Sequence, residues 1–281
     1  MTEPATPVCY RHPDQPTRLS CTQCGRPICV DCSNDAAVGQ KCPECSRTQG
    51  RARVIDARRT TGARAGFAGA PVTQAIVYLT VAIHLIRFLS DNADVELFQR
   101  LALAAGNVDQ GELWRLVSHA LLHSTGNLLH IFFNMYILYL FGPSLERGVG
   151  SVPFATFYVA AAAAGGSAFV ILEQQSVAVG ASGAIFGLFG AWILASWKAR
   201  HTPAGRAQFN QFAFLLAINL ALPFFIPRVA WQAHIGGLVA GLAIAWGWQT
   251  LARGSSNPKR DATLVAGVVL VISLLAGALL V

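Results

Sequence analysis

Seven stretches of the chain are apolar for close to the ~20 residues that cross a bilayer. They run over about 72–90, 127–145, 152–172, 179–197, 209–226, 229–249 and 262–281. The pattern predicts an all-α, polytopic membrane protein. The fourth and sixth stretches are rich in glycine and alanine, which suits inner helices that pack closely. The seventh is almost purely aliphatic, which suits a peripheral helix facing lipid. The polar start divides into a cysteine-rich segment, 1–46, and a basic linker, 47–70. Residues 71–250 make the helical core, and 251–281 a loop and the last helix.

Composition agrees with this division. The chain has 281 residues, 53% hydrophobic and 12% charged. A soluble domain carries about twice that charge. No signal peptide is expected, because the first 50 residues are polar and cysteine-rich. The net charge of +7 comes mainly from arginines beside apolar stretches. That distribution points to membrane topology, and no nucleic-acid partner is expected.

All seven cysteines lie between residues 9 and 45. With one histidine they form four knuckles: Cys9-x2-His12, Cys21-x2-Cys24, Cys29-x2-Cys32 and Cys42-x2-Cys45. Eight such ligands suffice for two tetrahedral zinc sites. Alternating knuckles would pair Cys9, His12, Cys29 and Cys32 at one ion, and Cys21, Cys24, Cys42 and Cys45 at the other. Consecutive pairing is the alternative. Only four residues separate Cys24 from Cys29, which favours the alternating cross-brace. The pattern resembles B-box or RING-like zinc modules. Metal would supply most of the folding energy of so small a segment. A cytoplasmic protein partner is the expected ligand of the module.

The linker carries Arg47, Arg51, Arg53, Arg58, Arg59 and Arg64 against one acid, Asp56. It reads as a solvated segment that anchors on anionic lipid. With the N-terminus cytoplasmic, the inner loops hold Arg147, the Lys198/Arg200/Arg206 cluster and the Arg253/Lys259/Arg260 cluster. The outer loops hold Arg100, Arg115 and Arg228 against six acids: Asp91, Asp94, Glu96, Asp109, Glu112 and Glu173. This bias fits a multi-pass protein of a bacterial plasma membrane. A reducing cytoplasm also favours zinc over disulfides.

In that topology the second, fourth and sixth spans start outside. They carry His130 with Asn134, Ser182 and His234 respectively, at similar depth. Polar groups so placed are functional candidates. Gly183, Gly187 and Gly190 make a small-residue stripe beside Ser182, and Ala233, Gly237 and Gly241 another beside His234. Packed together, the stripes bring the serine within hydrogen-bonding reach of the histidine. No aspartate occurs between Asp109 and Asp261, so the arrangement is a Ser–His dyad. The Ser182 backbone N–H, His130 and Asn134 are the candidate oxyanion donors. Phe186 lies one turn beyond Ser182 on the same face, where its ring can stack on His234. His119-x3-His123 reads as loop, as no HExxH occurs. His84 and Arg87 read as interfacial.

Four motifs together resemble the rhomboid intramembrane serine proteases. They are Trp114-Arg115, His130-Ile-Phe-Phe-Asn134, Gly180-Ala181-Ser182-Gly183 and Ala233-His234-Ile-Gly-Gly237-x3-Gly241. The resemblance covers about residues 72–250. It implies a six-helix core plus one C-terminal transmembrane helix. It also implies a Ser182/His234 dyad that needs no catalytic cofactor, and cleavage of transmembrane protein substrates near the outer face. Position 186, often tyrosine in the family, is phenylalanine here. A transporter would place ionisable residues near the midplane, and these lie off-centre. A non-catalytic relative that recruits partners through the zinc module is the second class. Intact Ser182 and His234 argue against it.

Overall fold

The computed structural model describes residues 6–35, 39–48, 66–225, 229–251 and 255–281. Contacts divide the chain into two units, Met1–Ala63 and Arg64–Val281. Most of the expected basic linker, including Arg51, Arg53, Arg58, Arg59 and Arg64, lies outside the described residues. Its last residues belong to the second unit, where Phe67 packs edge-on against Tyr78 and Tyr139.

The first unit has little regular structure. A 3₁₀ turn, Val30–Cys32, leads into β1, Asn34–Asp35, which pairs antiparallel with β2, Gln40–Lys41. One short helix follows, α1, Pro43–Thr48. The buried cluster of this unit is Cys9, Cys21, Ile28, Cys29, Cys32 and Cys42. Five of those six side chains are thiols, so the interior has ligands where a larger domain has aliphatics.

Helices dominate the second unit. Seven of them, each 18–22 residues long, match the seven apolar stretches: α2 Pro71–Leu89, α6 Leu128–Val149, α7 Ser151–Leu172, α8 Ser182–Ala199, α9 Pro203–Ala221, α10 Trp231–Thr250 and α11 Pro258–Leu279. The connection after α2 is also structured. It holds α3, Asp91–Leu101; β3, Leu103–Ala104; α4, Ala105–Asp109; and α5, Arg115–Ser118. Among the described residues, α2, α6, α7 and α11 are long and apolar enough to cross a membrane on length and composition alone. The other three fall short of that apolarity. α8 and α10 are rich in glycine and alanine, and α9 opens with Arg206, Gln208, Asn210 and Gln211.

The inner helices touch backbone to backbone. A Cβ added at Gly237 would lie 1.9 Å from the Gly183 carbonyl oxygen, and one at Gly241 2.1 Å from that of Gly187. The two stripes of α8 and α10 therefore form one seam. α7 joins them as a third inner helix, with Gly165 against the Ala233 carbonyl. Its Ala160–Ala163 run is fully buried. α11 is peripheral, as its aliphatic sequence suggests, but one face is docked. Ala262, Ala266, Ser273 and Gly277 are buried, and Ser167 of α7 donates to the Ser273 carbonyl at 2.7 Å.

At the end of the bundle away from Ser182, Glu146 joins three helices. Its carboxylate accepts from the Val72 and Thr73 amides at 3.0 and 2.8 Å, and from the Thr73 and Ser151 hydroxyls at 2.7 Å each. It thereby caps the start of α2, whose first N–H groups have no intrahelical partner. Glu146 is 1% exposed, and all of its acceptor capacity is engaged locally.

The seam dictates a stability effect. Gly241→Val places a branched side chain where a carbonyl oxygen now sits, so the two helices must part. The variant is expected to lose about 1–3 kcal/mol or more. Thermal melting in detergent, beside a Gly267→Ala control in open space, measures it.

Candidate active site and metal centres

Three short segments converge at the end of the bundle where α6, α8 and α10 begin. Ser182 is the first residue of α8, with Ala181 at its N-cap. Gly180 before it has φ of +133°, a conformation that side chains rarely tolerate. A Cβ at Gly180 would lie 2.8 Å from His130 Nε2 and 3.8 Å from Ser182 Oγ. The His130 imidazole and the Ser182 hydroxyl thus face one small space, kept open by the missing side chain.

His234 sits in the first turn of α10 and is 6% exposed. Its ring stacks on Phe186, with centroids 4.1 Å apart and planes 10° from parallel. Phe186 in turn meets Phe189 edge-on. Among the described residues His234 Nδ1 has no hydrogen-bond partner. No hydrogen bond links Ser182 Oγ to His234 among the described residues. Such contacts are often loose before substrate binds. Asn134 is 8% exposed and its Nδ2 donates to the His130 carbonyl at 2.7 Å, which leaves one N–H of that amide uncommitted.

The turn before Ser182 is held from outside its own helix. β4, Val177–Ala178, pairs antiparallel with β3, in the register Leu103↔Ala178. The Gly180 amide donates to the His119 carbonyl at 3.0 Å. The Ala181 amide donates to His123 Nε2 at 3.4 Å. His123 also meets the His130 ring at 4.9 Å. Read from the sequence as ordinary loop, His119 and His123 are in fact 2% and 0% exposed. Burial lowers His119 to about 4 and holds His123 well below the usual imidazole range. Both are therefore neutral at pH 7, and His123 can accept at Nε2 only with its proton on Nδ1. Their spacing beside Trp114-Arg115 was the available signal, but spacing alone says nothing of burial.

That loop is itself braced. Arg115 is 5% exposed, bonded to Glu112 at 2.5 Å and to the Ala102 carbonyl at 2.8 Å. Trp114 donates to the Arg100 carbonyl at 3.3 Å. Arg100 pairs with Glu96 at 2.8 Å. Arg87, read as interfacial, is 4% exposed and pairs with Asp94 at 2.6 Å. His84, read likewise, is 5% exposed.

In the first unit the eight knuckle residues form two groups, Cys9/His12/Cys29/Cys32 and Cys21/Cys24/Cys42/Cys45. Within each group the ligand atoms all lie within 4.8 Å of one another. The alternating pairing is the one adopted. Thiols so crowded compete for protons. Burial opposes ionisation of Cys9, yet backbone N–H groups of Arg11, Cys29 and His12 hold it at about 6. Burial and the neighbouring thiols Cys29 and Cys9 push Cys32 up to about 11. Cys21 falls to about 6, chiefly through the backbone of Cys42, while Cys45 rises to about 12 beside Cys42. A dication removes that competition by replacing the shared protons. The donor sets, Cys₃His and Cys₄, suit tetrahedral zinc.

Two family descriptions match the chain: Rhomboid domain over residues 110–250 and B-box zinc finger over residues 4–36. RHOMBOID-like protein 6, mitochondrial, of Arabidopsis thaliana is 30% identical over 186 residues, 59% of each chain. Putative rhomboid protease YdcA of Bacillus subtilis is 34% identical over 140 residues, 50% of this chain and 69% of the relative. Rhomboid protease GlpG of Haemophilus influenzae is 30% identical over 185 residues, 63% of this chain and 89% of the relative. The chain spans 59%, 54% and 52% of the length of three plant relatives. The Rhomboid domain match takes in His130, Asn134, Ser182 and His234, the candidate residues carried by α6, α8 and α10, and the chain belongs to the rhomboid family.

Proposed function

We propose that the protein is an intramembrane serine endopeptidase that cleaves transmembrane segments of other proteins near the outer face. The observation that carries this reading is the stack of Phe186 on His234, one turn beyond Ser182 across the glycine seam. It fixes a buried imidazole on the helix next to an available hydroxyl. Ser182 Oγ attacks the scissile carbonyl while His234 takes its proton. The histidine then gives that proton to the leaving amine, and water hydrolyses the acyl-enzyme by the same route.

Among the described residues His234 Nδ1 has no acidic partner to orient the ring, so the Phe186 face does the orienting. Negative charge on the tetrahedral oxygen would meet the Ser182 backbone N–H at the start of α8, favoured by the helix dipole. His130, which faces the space beside Ser182, and the free N–H of Asn134 would add donors. The arginine bias supports an N-terminus in the cytoplasm of a bacterium, with Ser182 toward the outer face.

The first unit would hold two structural zinc ions, one on Cys9, His12, Cys29 and Cys32, the other on Cys21, Cys24, Cys42 and Cys45. Bound zinc would supply charge neutralisation and folding energy there, with no part in hydrolysis. A cytoplasmic protein is the proposed partner of this module.

Ser182→Ala and His234→Ala should each lower cleavage of a model transmembrane substrate by on the order of 10⁴-fold or more. The double variant should lose little further, since the two act as a unit. Turnover comparable to the parent in either single variant would refute the dyad.

Phe186→Tyr should keep turnover within about threefold, because a ring suffices for the stack. Phe186→Ala should cost about tenfold or more by freeing the imidazole. Turnover of both variants in one detergent tests this, and parity of the alanine variant with the parent would remove Phe186 from the site.

Metal analysis of the purified protein should find about two zinc ions per chain. A chelator should strip them and open all seven cysteines to a thiol reagent. Native disulfides, or a stoichiometry near one, would contradict the assignment.

A further inference from the structure

Arg87 stands in an unusual place for a cation. It ends the first apolar helix, and its side chain is 3% exposed. Burying a guanidinium costs several kcal/mol before its partners repay it. Those partners are few. NH2 forms an ion pair with Asp94 Oδ1 at 2.6 Å, NH1 donates a directional hydrogen bond to the His123 carbonyl at 2.8 Å, Cζ lies 5.8 Å from the Phe98 ring centroid, and Nε has no hydrogen-bond partner among the described residues. A leucine would fill the same helix end at lower electrostatic cost. Ion pairs of this kind are weak sources of stability, so what the arginine adds is geometry.

The geometry leads to the nucleophile. The carbonyl that Arg87 holds belongs to His123. The same residue's Nε2 accepts the Ala181 N–H at 3.4 Å, and its ring packs on His130 at 4.9 Å. Ala181 is the N-cap of the helix that Ser182 begins. Four residues from four separate segments therefore form one chain of contacts: Asp94, Arg87, His123, Ala181. Its far end sets the backbone beside the serine and the ring beside the oxyanion space.

We infer that Arg87, oriented by Asp94, is a positioning residue that clamps the His119–His123 loop onto the turn carrying Ser182. The clamp touches neither substrate nor reacting atoms. It works through His123, whose neutral ring can serve as acceptor only while the loop is held. Asp94 sits at the accessible end, 34% exposed, in a groove of about 430 Å³ also lined by Phe98, Ser124 and Val179. A lysine at 87 has one ammonium where two acceptors need a fork, so it replaces the arginine only in part.

The inference rests on the proposed role of Ser182, so the test carries Ser182→Ala in parallel. Full-length parent, Arg87→Gln, Arg87→Lys and Asp94→Ala are compared in one detergent for kcat, KM, melting temperature and rate of labelling by a fluorophosphonate probe. Arg87→Gln should lower kcat about tenfold, with KM within about twofold. Probe labelling of Ser182 should slow in the same proportion. Amide hydrogen exchange over residues 180–182 should rise. Asp94→Ala should show the same pattern at smaller size, and Arg87→Lys should recover part of the loss. If Arg87→Gln fails to fold, Asp94→Ala decides alone. A kcat within about twofold of the parent in the folded variants overturns the clamp. So does a rise in KM at unchanged kcat, which would put Arg87 in substrate binding. Turnover in Ser182→Ala strikes the nucleophile assignment instead, and is read separately.

Discussion

The closest approach of α8 to α10 is made by peptide groups rather than side chains, and the candidate site depends on it. Within a bilayer the hydrophobic effect gives no reason for two apolar helices to meet, since lipid is as apolar as leucine. Dispersion between closely spaced atoms is what remains, and it weakens steeply with each added ångström. Gly183 against Gly237 and Gly187 against Gly241 allow the shortest possible approach. Only at that separation can Phe186 of one helix lie face to face with His234 of the other.

A second constraint comes from the connection between α2 and α6. It behaves as a folded element, braced by Arg115, by a two-residue ribbon with β4, and by buried histidines. Every brace is a directional polar contact to a named carbonyl or amide. Such contacts specify position well where apolar packing would leave a sliding fit. The first unit works differently. Its interior is made of thiols, so its order depends on what those thiols bind.

Much of this was legible in the sequence. Apolar length located six of the seven long helices to within about four residues and α9 to within six, and the small-residue stripes identified the seam. The alternating grouping of the eight ligand-type residues agrees with the short gap between Cys24 and Cys29. What escaped was long-range and polar. α7 reads as another apolar span, because an alanine run signals helix without saying how central it is. Arg87 looked like an interfacial anchor, since nothing local distinguishes a snorkelling arginine from one that meets Asp94 and the His123 carbonyl. His119 and His123 looked like loop; His119 instead opens a 3₁₀ turn, His119–Leu121, His123 lies in the loop after it, and both are buried. Glu146 carries no local signal of its role, because its partners Val72 and Thr73 are more than seventy positions away.

Glu146 also gives the bundle a mechanical asymmetry. One carboxylate knots together the start of α2, the end of α6 and the start of α7, at the end remote from Ser182. Helices pinned at one end behave as levers. α6 has 22 residues and is about 33 Å long. A tilt of only ~5° about the pinned end carries the other end through ~3 Å over that length. That distance is about the depth of one layer of side chains. The fulcrum lies at the end remote from Ser182, and the long arm ends beside it.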